Sequence, residues 1–232
     1  MTDVVEKYRV TVAALNIRET PSNTAKILGC LTKNQHIVKL DVSPDGFWIK
    51  HKTAEKQGWS SKKYLEKLVP LPGTGESFPW MPIAEAEKGV IEIPGRENNP
   101  RVLEYLNSVT NIGPTWRSRD ETPWCSAFVN WCMKKAGFPG TNSALSTSWL
   151  KWGQSIARPV KGCLVIFLRE NGGGHVGFYI DETVTSTATY IKVLSGNQEH
   201  ADTDIGEVNE KHYLKSKLLG YRLPAEYAPP VA

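Results

Sequence analysis

Hydrophobic and polar positions change rhythm along this chain, and the change divides it. Val38, Leu40 and Val42 alternate with Lys39 and Asp41, the period of a half-buried strand. Pro44-Asp45-Gly46 follows as a turn, with proline presetting φ and glycine tolerating a positive one. Phe47-Trp48-Ile49-Lys50 and the stretch from Gly58-Trp59 read as further strands, so the first part is all-β. Beyond Pro79 the rhythm becomes helical. Pro79 and Pro82 bracket the start of an Ala/Glu-rich helix ending at Gly89, and Pro100 opens another with Val102, Leu103 and Leu106 on one face. Trp124, Ala127, Phe128, Trp131, Cys132 and Ala136 recur at helical spacing, with Gly137 as the stop. A short helix is expected over residues 145–152, then strands over 163–169, 175–181, 189–195 and 218–222. Helices followed by an antiparallel sheet make the second part α+β.

Between the parts, Pro70-Leu71-Pro72-Gly73-Thr74-Gly75 opens a linker of mixed stiffness. The expected organisation is a domain over 1–69, a linker over 70–79, a second domain over 80–223 and a loose tail over 224–232. The 232 residues, 40% of them hydrophobic, suffice for one good core or two modest ones. The net charge of +4 is uneven: residues 1–70 carry twelve basic and seven acidic side chains, whereas residues 71–232 carry sixteen and seventeen. An anionic partner would meet the first part. No Arg-rich helix or nucleic-acid motif accompanies that excess, so nucleic acid is not an expected partner. No apolar run reaches the about 18 residues of a membrane helix, so no membrane insertion is expected. The start Met1-Thr2-Asp3-Val4-Val5-Glu6-Lys7 lacks the basic and apolar regions of a secretory signal. Synthesis in the cytoplasm, with any outside substrate reached by another route, is the expectation.

Four cysteines without a C-x-x-C pair argue against a disulfide framework and a structural zinc site. One of them is placed for chemistry. In Thr122-Pro123-Trp124-Cys125-Ser126 a helix is about to begin, with Thr122 expected as N-cap and Pro123 at the first helical position. A thiol in that first turn meets unpaired N–H groups and the positive end of the helix dipole, which favour the nucleophilic thiolate. Against this stands the ordinary behaviour of free cysteine as a small buried hydrophobe. Cys30, Cys132 and Cys163 are read that way.

A thiolate works with a general base and a group that orients it. Of five histidines, His175 stands out: Gly172-Gly173-Gly174 lets the backbone approach closely, and Val176, Phe178 and Ile180 then alternate along a strand. That puts the imidazole at a sheet edge, where it can meet a helix start. For the orienting group, Leu194-Ser195-Gly196-Asn197-Gln198 closes the next strand. Asn197 is preferred because Gln198 would face the other way if the strand continued regularly; a Gly-Asn turn is the plain alternative.

Two family resemblances sit on these residues. Leu15-Asn16-Ile17-Arg18, Pro21, Ile27-Leu28-Gly29, Asp45-Gly46-Phe47-Trp48 and Gly58-Trp59-Ser60-Ser61-Lys62-Lys63-Tyr64-Leu65 resemble a bacterial SH3-like domain over residues 8–68. This implies a small β-barrel that binds cell-wall peptides or positions a catalytic neighbour, with at least one of Trp48 and Trp59 in its core. Trp124-Cys125-Ser126-Ala127-Phe128-Val129, Gly174-His175-Val176-Gly177-Phe178-Tyr179 and Gly196-Asn197-Gln198 occur in the order of the CHAP/NlpC-type cysteine peptidases and amidases. That resemblance covers residues 79–223 and implies a papain-like α+β domain. Carried over, Cys125 is the nucleophile, His175 the base and Asn197 the orienting residue. The chain departs from NlpC relatives in having Trp124 before the cysteine, where they have Asp. It departs from many CHAP relatives in having Ser195 where they carry an acid.

The implied activity is hydrolysis of amide bonds in bacterial peptidoglycan, as a peptide endopeptidase or an N-acetylmuramoyl-L-alanine amidase, with no cofactor or metal. Arg117, Ser118 and Arg119 are candidates for a second oxyanion donor. Without a signal, two roles fit: a phage endolysin released through a holin, or an exported antibacterial effector paired with an immunity protein. The alternatives are a decayed cell-wall binding module and a deamidase or transglutaminase toxin using the same Cys-His site.

Overall fold

The computed structural model describes residues 6–53, 55–72, 76–168, 173–200 and 203–227. Gly73, Thr74 and Gly75 of the linker, Gly172 of the triple glycine and residues 228–232 of the tail lie outside these. Two compact units form. The first takes the chain up to Leu71 together with Glu226 and Tyr227, and the second runs from Pro72 to Ala225.

Among its described residues the first unit has strands and one 3₁₀ turn, Lys62–Tyr64. Its strands are β1 (Lys7–Val10), β2 (Ala14–Arg18), β3 (Ile27–Thr32), β4 (His36–Val42), β5 (Trp48–Lys52), β6 (Gln57–Ser61) and β7 (Leu65–Lys67), in the order β3-β2-β6-β5-β4-β1-β7. The period-2 pattern drives this sheet: Tyr8, Val10, Leu15, Ile17, Leu31, Ile37, Ile49 and Leu65 turn one face of each strand into a common core. At the predicted turn, Gly46 has φ 75° and its N–H donates to the Ser43 carbonyl. Trp48 is buried, while Trp59 is half-buried with the Lys50 ammonium over its ring. Cys30, taken as structural, is exposed on β3. The expected loose tail is held as far as Tyr227, which is buried and bridges Val69, with Val69 N–H on the Glu226 carbonyl.

In the second unit, α1 (Trp80–Ala86), α2 (Pro100–Leu106), α3 (Pro114–Arg117) and α4 (Cys125–Lys135) precede a six-stranded antiparallel sheet. The sheet comprises β8 (Gln154–Ile156), β9 (Leu164–Leu168), β10 (Gly174–Val184), β11 (Thr189–Glu199), β12 (Gly206–Leu214) and β13 (Leu218–Leu223), ordered β12-β11-β10-β9-β13-β8. β8 and β12 carry no strand pattern in the sequence, because Gln154–Ile156 is short and β12 is mostly polar. The expected short helix at 145–152 is a 3₁₀ helix, Ser146–Lys151.

Nearly the whole surface of α4 is apolar, and nearly all of it is covered. One side packs against α1 and α2, the other against β10 and β11. Tyr105 of α2 meets Trp124, Phe128 and Trp131 at ring separations of 5.2–5.6 Å, and Phe128 meets Phe178 of β10 edge-on at 6.3 Å. The polar side of this packing is a clamp: buried Glu87 accepts from Arg101 Nε at 2.7 Å and Nη2 at 2.6 Å, and from the Tyr105 hydroxyl. The helix that carries Cys125 is thus held in a covered, rigid layer. Among the described residues no helix is long and apolar enough to cross a membrane.

Candidate active site

Cys125 is the first residue of α4, one step deeper than a cap. The cap itself differs from expectation. Thr122 spends its hydroxyl on the Trp116 carbonyl at 2.7 Å, and the chain enters the helix two residues later than expected, with Trp124 as N-cap. Trp124 has no side-chain acceptor to offer the first turn; instead its own N–H donates to Asn197 Oδ1 at 3.3 Å. The helix start is therefore tied to the end of β11. The bond is a long one, but the indole Nε1–H of Trp124 adds a second tie, to Glu92 Oε1 at 2.7 Å. That same oxygen accepts Asn197 Nδ2–H at 2.9 Å. Glu92, Trp124 and Asn197 make one closed triangle around the residue before the thiol.

His175 is the second residue of β10, paired with Phe167 of β9 and fully buried. Its ring stacks on Tyr213 of β12 at 5.0 Å and 20°, and Tyr213 also stacks on Phe167. Nε2 faces Gln198 Oε1 at 3.3 Å. The amide orientation of Gln198 is set by its other end, since Nε2 donates to the Asn209 carbonyl at 2.6 Å and to Asn209 Oδ1 at 2.9 Å. With both those partners acceptors, Oε1 is the atom left for His175, and the imidazole carries its proton on Nε2.

Both amides of Asn197-Gln198 have partners at the site. Regular alternation along β11 predicts Asn197 toward His175 and Gln198 away. The strand is not regular there: its pairing with β12 breaks between Ser195 and Gln198, and Asn197 sits at φ 54°. Asparagine tolerates that left-handed conformation, and the bulge it makes turns Gln198 to the imidazole. Asn197 Oδ1 takes the Trp124 N–H at the helix start. Gly196 is required by the same packing, because a Cβ there would fall inside the Trp124 ring.

Cys125 is 5% exposed, on the edge of the covered layer. The next residue, Ser126, is anchored: its hydroxyl donates to the Ser143 carbonyl at 2.7 Å and accepts the Trp149 indole N–H at 2.9 Å. Cys132 and Cys163 are fully buried, as expected; burial pushes the Cys163 thiol up to about 12 and Cys132 well above its ordinary value. Neither is a nucleophile at neutral pH. Of the three proposed second donors, Ser118 gives its hydroxyl to the Thr115 carbonyl and Arg119 is exposed. Arg117 has a buried Nε without a hydrogen-bond partner.

Sequence reading passed over four residues at this site. Gln198 was weighed and set aside; Glu92, Asp120 and Tyr213 had no pattern to single them out. Asp120 is fully buried and accepts the N–H groups of Ile93 and Asn99 at 2.9 and 2.8 Å, which holds the loop carrying Glu92 against the segment before Cys125. His36, His51, His200 and His212 do not enter the site: the first two lie on β4 and β5, His212 is on β12 with its side chain exposed, and His200 pairs with Glu207 at 2.9 Å. Among the described residues no group of three or more Cys, His, Asp or Glu side chains gathers as a metal site.

Residues 117–197 match the CHAP domain family. The CHAP match begins in α3, spans Cys125 and His175, and ends at Asn197. Among solved structures, the chain is similar to NlpC1 from Trichomonas vaginalis at 14% identity and TM-score 0.32, covering 94% of this chain and 69% of that one. For NlpC2 of the same organism the values are 11%, 0.29, 94% and 72%. An NlpC/P60 endopeptidase from Photobacterium damselae subsp. piscicida follows at 9%, 0.24, 90% and 65%. Overlaps of this extent carry no weight for the fold. No curated protein matches the chain.

Proposed function

We propose that the CHAP unit is a cysteine hydrolase that cleaves amide bonds in bacterial peptidoglycan. One observation carries the reading: two consecutive residues of β11 reach the helix start and the imidazole, Asn197 through Trp124 N–H and Gln198 through His175 Nε2. A thiol at the first helical position and a histidine at a strand edge are thereby held to a common dipeptide.

With the Nε2 proton fixed by Gln198, Nδ1 is the basic nitrogen that serves Cys125. The thiolate attacks the amide carbonyl and forms the S–C bond, while the Cys125 backbone N–H donates to the developing oxyanion, a contribution of about 3 kcal/mol where such donors have been removed. His175 gives its proton to the leaving amine, then takes one from water as water releases the acyl group. The Tyr213 face against the ring suits the imidazolium that forms in between. Arg117 is the second-donor candidate with an unspent N–H.

The first unit we read as bacterial SH3-like, with wall peptide as its partner. Its basic balance favours an anionic polymer, and it contains a cavity of about 350 Å³ lined by Asn16, Arg18, Trp48, Ser61 and Tyr64 among others.

The test is digestion of purified sacculi, with mass analysis of the released fragments. New amino and carboxyl ends produced by wild type and not by Cys125→Ala support the reading, and their identity tells endopeptidase from amidase. No cleavage on several wall chemistries, by wild type as by the variant, ends it.

A further inference from the structure

Leu145 is a leucine that the fold pins in place and leaves 65% exposed. Its N–H donates to Ser143 Oγ at 3.2 Å, and its carbonyl accepts the Ser126 hydroxyl at 3.4 Å. The loop before it is fastened at several points. Asn130 holds the Asn142 N–H at 2.9 Å and the Ser143 carbonyl at 3.1 Å, and Asn111 Oδ1 accepts the Ala144 N–H at 2.7 Å. These bonds hold the backbone on both sides of the leucine.

The place of that leucine matters. On one side it touches Ser126, the neighbour of Cys125. On the other it leads into Ser146, whose hydroxyl lies so close to Gly174, the neighbour of His175, that a Cβ there would collide with it. Leu145 therefore sits on the stretch that joins the nucleophile's side of the site to the base's side. Leu168, also exposed, pairs with Gly174 from β9. No ionisable residue occurs anywhere in Thr141-Asn142-Ser143-Ala144-Leu145-Ser146-Thr147-Ser148. A fixed, uncharged rim with an exposed aliphatic side chain complements an uncharged aliphatic group and disfavours a charged one.

We propose that Leu145 is a specificity-determining residue that contacts an uncharged aliphatic group of the substrate beside the scissile amide. The proposal rests on Cys125 being the nucleophile, and the experiment separates the two. Cys125 of the full chain is alkylated with iodoacetamide and with N-butyl iodoacetamide, each losing iodide to the thiolate, and its modification is followed by peptide mass mapping. The readout is the ratio of the two rates, divided by the same ratio for N-acetylcysteine, so that a general change in thiol reactivity cancels. The wild-type ratio is expected to exceed one by about fivefold, the scale of partial burial of a few methylenes. Leu145→Ser is expected to bring it to within about twofold of one, and Leu145→Met to keep it. A wild-type ratio of one, or a Leu145→Ser ratio equal to wild type, overturns the proposal while leaving the nucleophile in place. If iodoacetamide modifies Cys125 only after unfolding, the nucleophile reading falls and takes the proposal with it.

Discussion

The side-chain oxygen of Gln198 lies 3.3 Å from Nε2 of His175 because Asn197, the residue before it, adopts a φ of 54°. Removing the amide should free the imidazole to turn and to change tautomer. Gln198→Ala is expected to lower kcat on sacculi by about ten- to a hundredfold, the equivalent of about 1.5–3 kcal/mol for a hydrogen bond to a group that becomes charged, with KM little altered. Gln198→Glu should retain activity and shift the pH profile upward, since a carboxylate favours the imidazolium. An equal loss in both variants would count against an orienting role.

Gly196 supplies a second check on the same geometry. In Gly196→Ala the new methyl must displace the Trp124 ring, and the helix start moves with it. Overpacking of this kind costs about 1–3 kcal/mol of stability. Activity is expected to fall further than the stability change explains, by more than about tenfold at a temperature where the variant remains folded by circular dichroism. A variant with normal turnover would show that Trp124 does not set the position of Cys125.

The four thiols should sort by environment. Cys132 and Cys163 are held up by burial and are expected to stay unmodified by iodoacetamide in the native protein at pH 8. Cys125, although only 5% exposed, is expected to react faster at pH 7 than the exposed Cys30, because it alone sits at a helix start. Time-resolved peptide mapping decides it; preferential modification of Cys30 would remove the case for an activated thiolate.

Acid sensitivity in the first unit should trace to His51. It is fully buried, its Nε2 meets Ser60 Oγ at 2.9 Å, and its Nδ1 has no hydrogen-bond partner. Burial depresses its pKa to about 4 from an ordinary 6.5. The unfolded chain therefore binds a proton near pH 6.5 that the folded unit refuses until about pH 4. Stability contributed by the neutral ring is present above pH 6.5 and drains away across that window. Urea denaturation at pH 7 and pH 5 should show a smaller loss for His51→Leu than for wild type; identical losses would exclude His51 as the cause.

In the second unit the Glu87 clamp makes the opposite kind of group. Burial raises its carboxyl, but the bonds from Arg101 and Tyr105 outweigh it and hold the pKa below the ordinary 4.5. Glu87→Ala leaves the Tyr105 hydroxyl buried without its acceptor and is expected to cost about 2–3 kcal/mol in denaturant unfolding. A cost near zero would mean that the packing of α2 on α4 does not depend on it.

Much of this architecture was legible beforehand, for identifiable reasons. Alternation marked the strands of the first unit, and the helical recurrence from Trp124 onward placed Cys125 at a helix start to within two residues. Glycines before His175 marked a close backbone approach, which Gly174 makes against Ser146. Illegible was whatever depended on which of several available partners folding supplies. Thr122 has the chemistry of an N-cap but donates to Trp116, and nothing local announces that choice. The bulge at Asn197 breaks the rule by which strand faces are assigned, so regular alternation did not bring Gln198 to His175. Glu92 and Tyr213 are ordinary residues made relevant only by folding.

The join between β11 and the rest of the site has a consequence for how this protein can vary. One dipeptide holds the helix carrying the sulfur with its first amide and the proton carrier with its second. Inserting or deleting a single residue between Ser195 and Gln198 would break both attachments together, even if every side chain were kept. Spacing in that strand is thus under tighter constraint than identity, and length changes there should be less tolerated than substitutions.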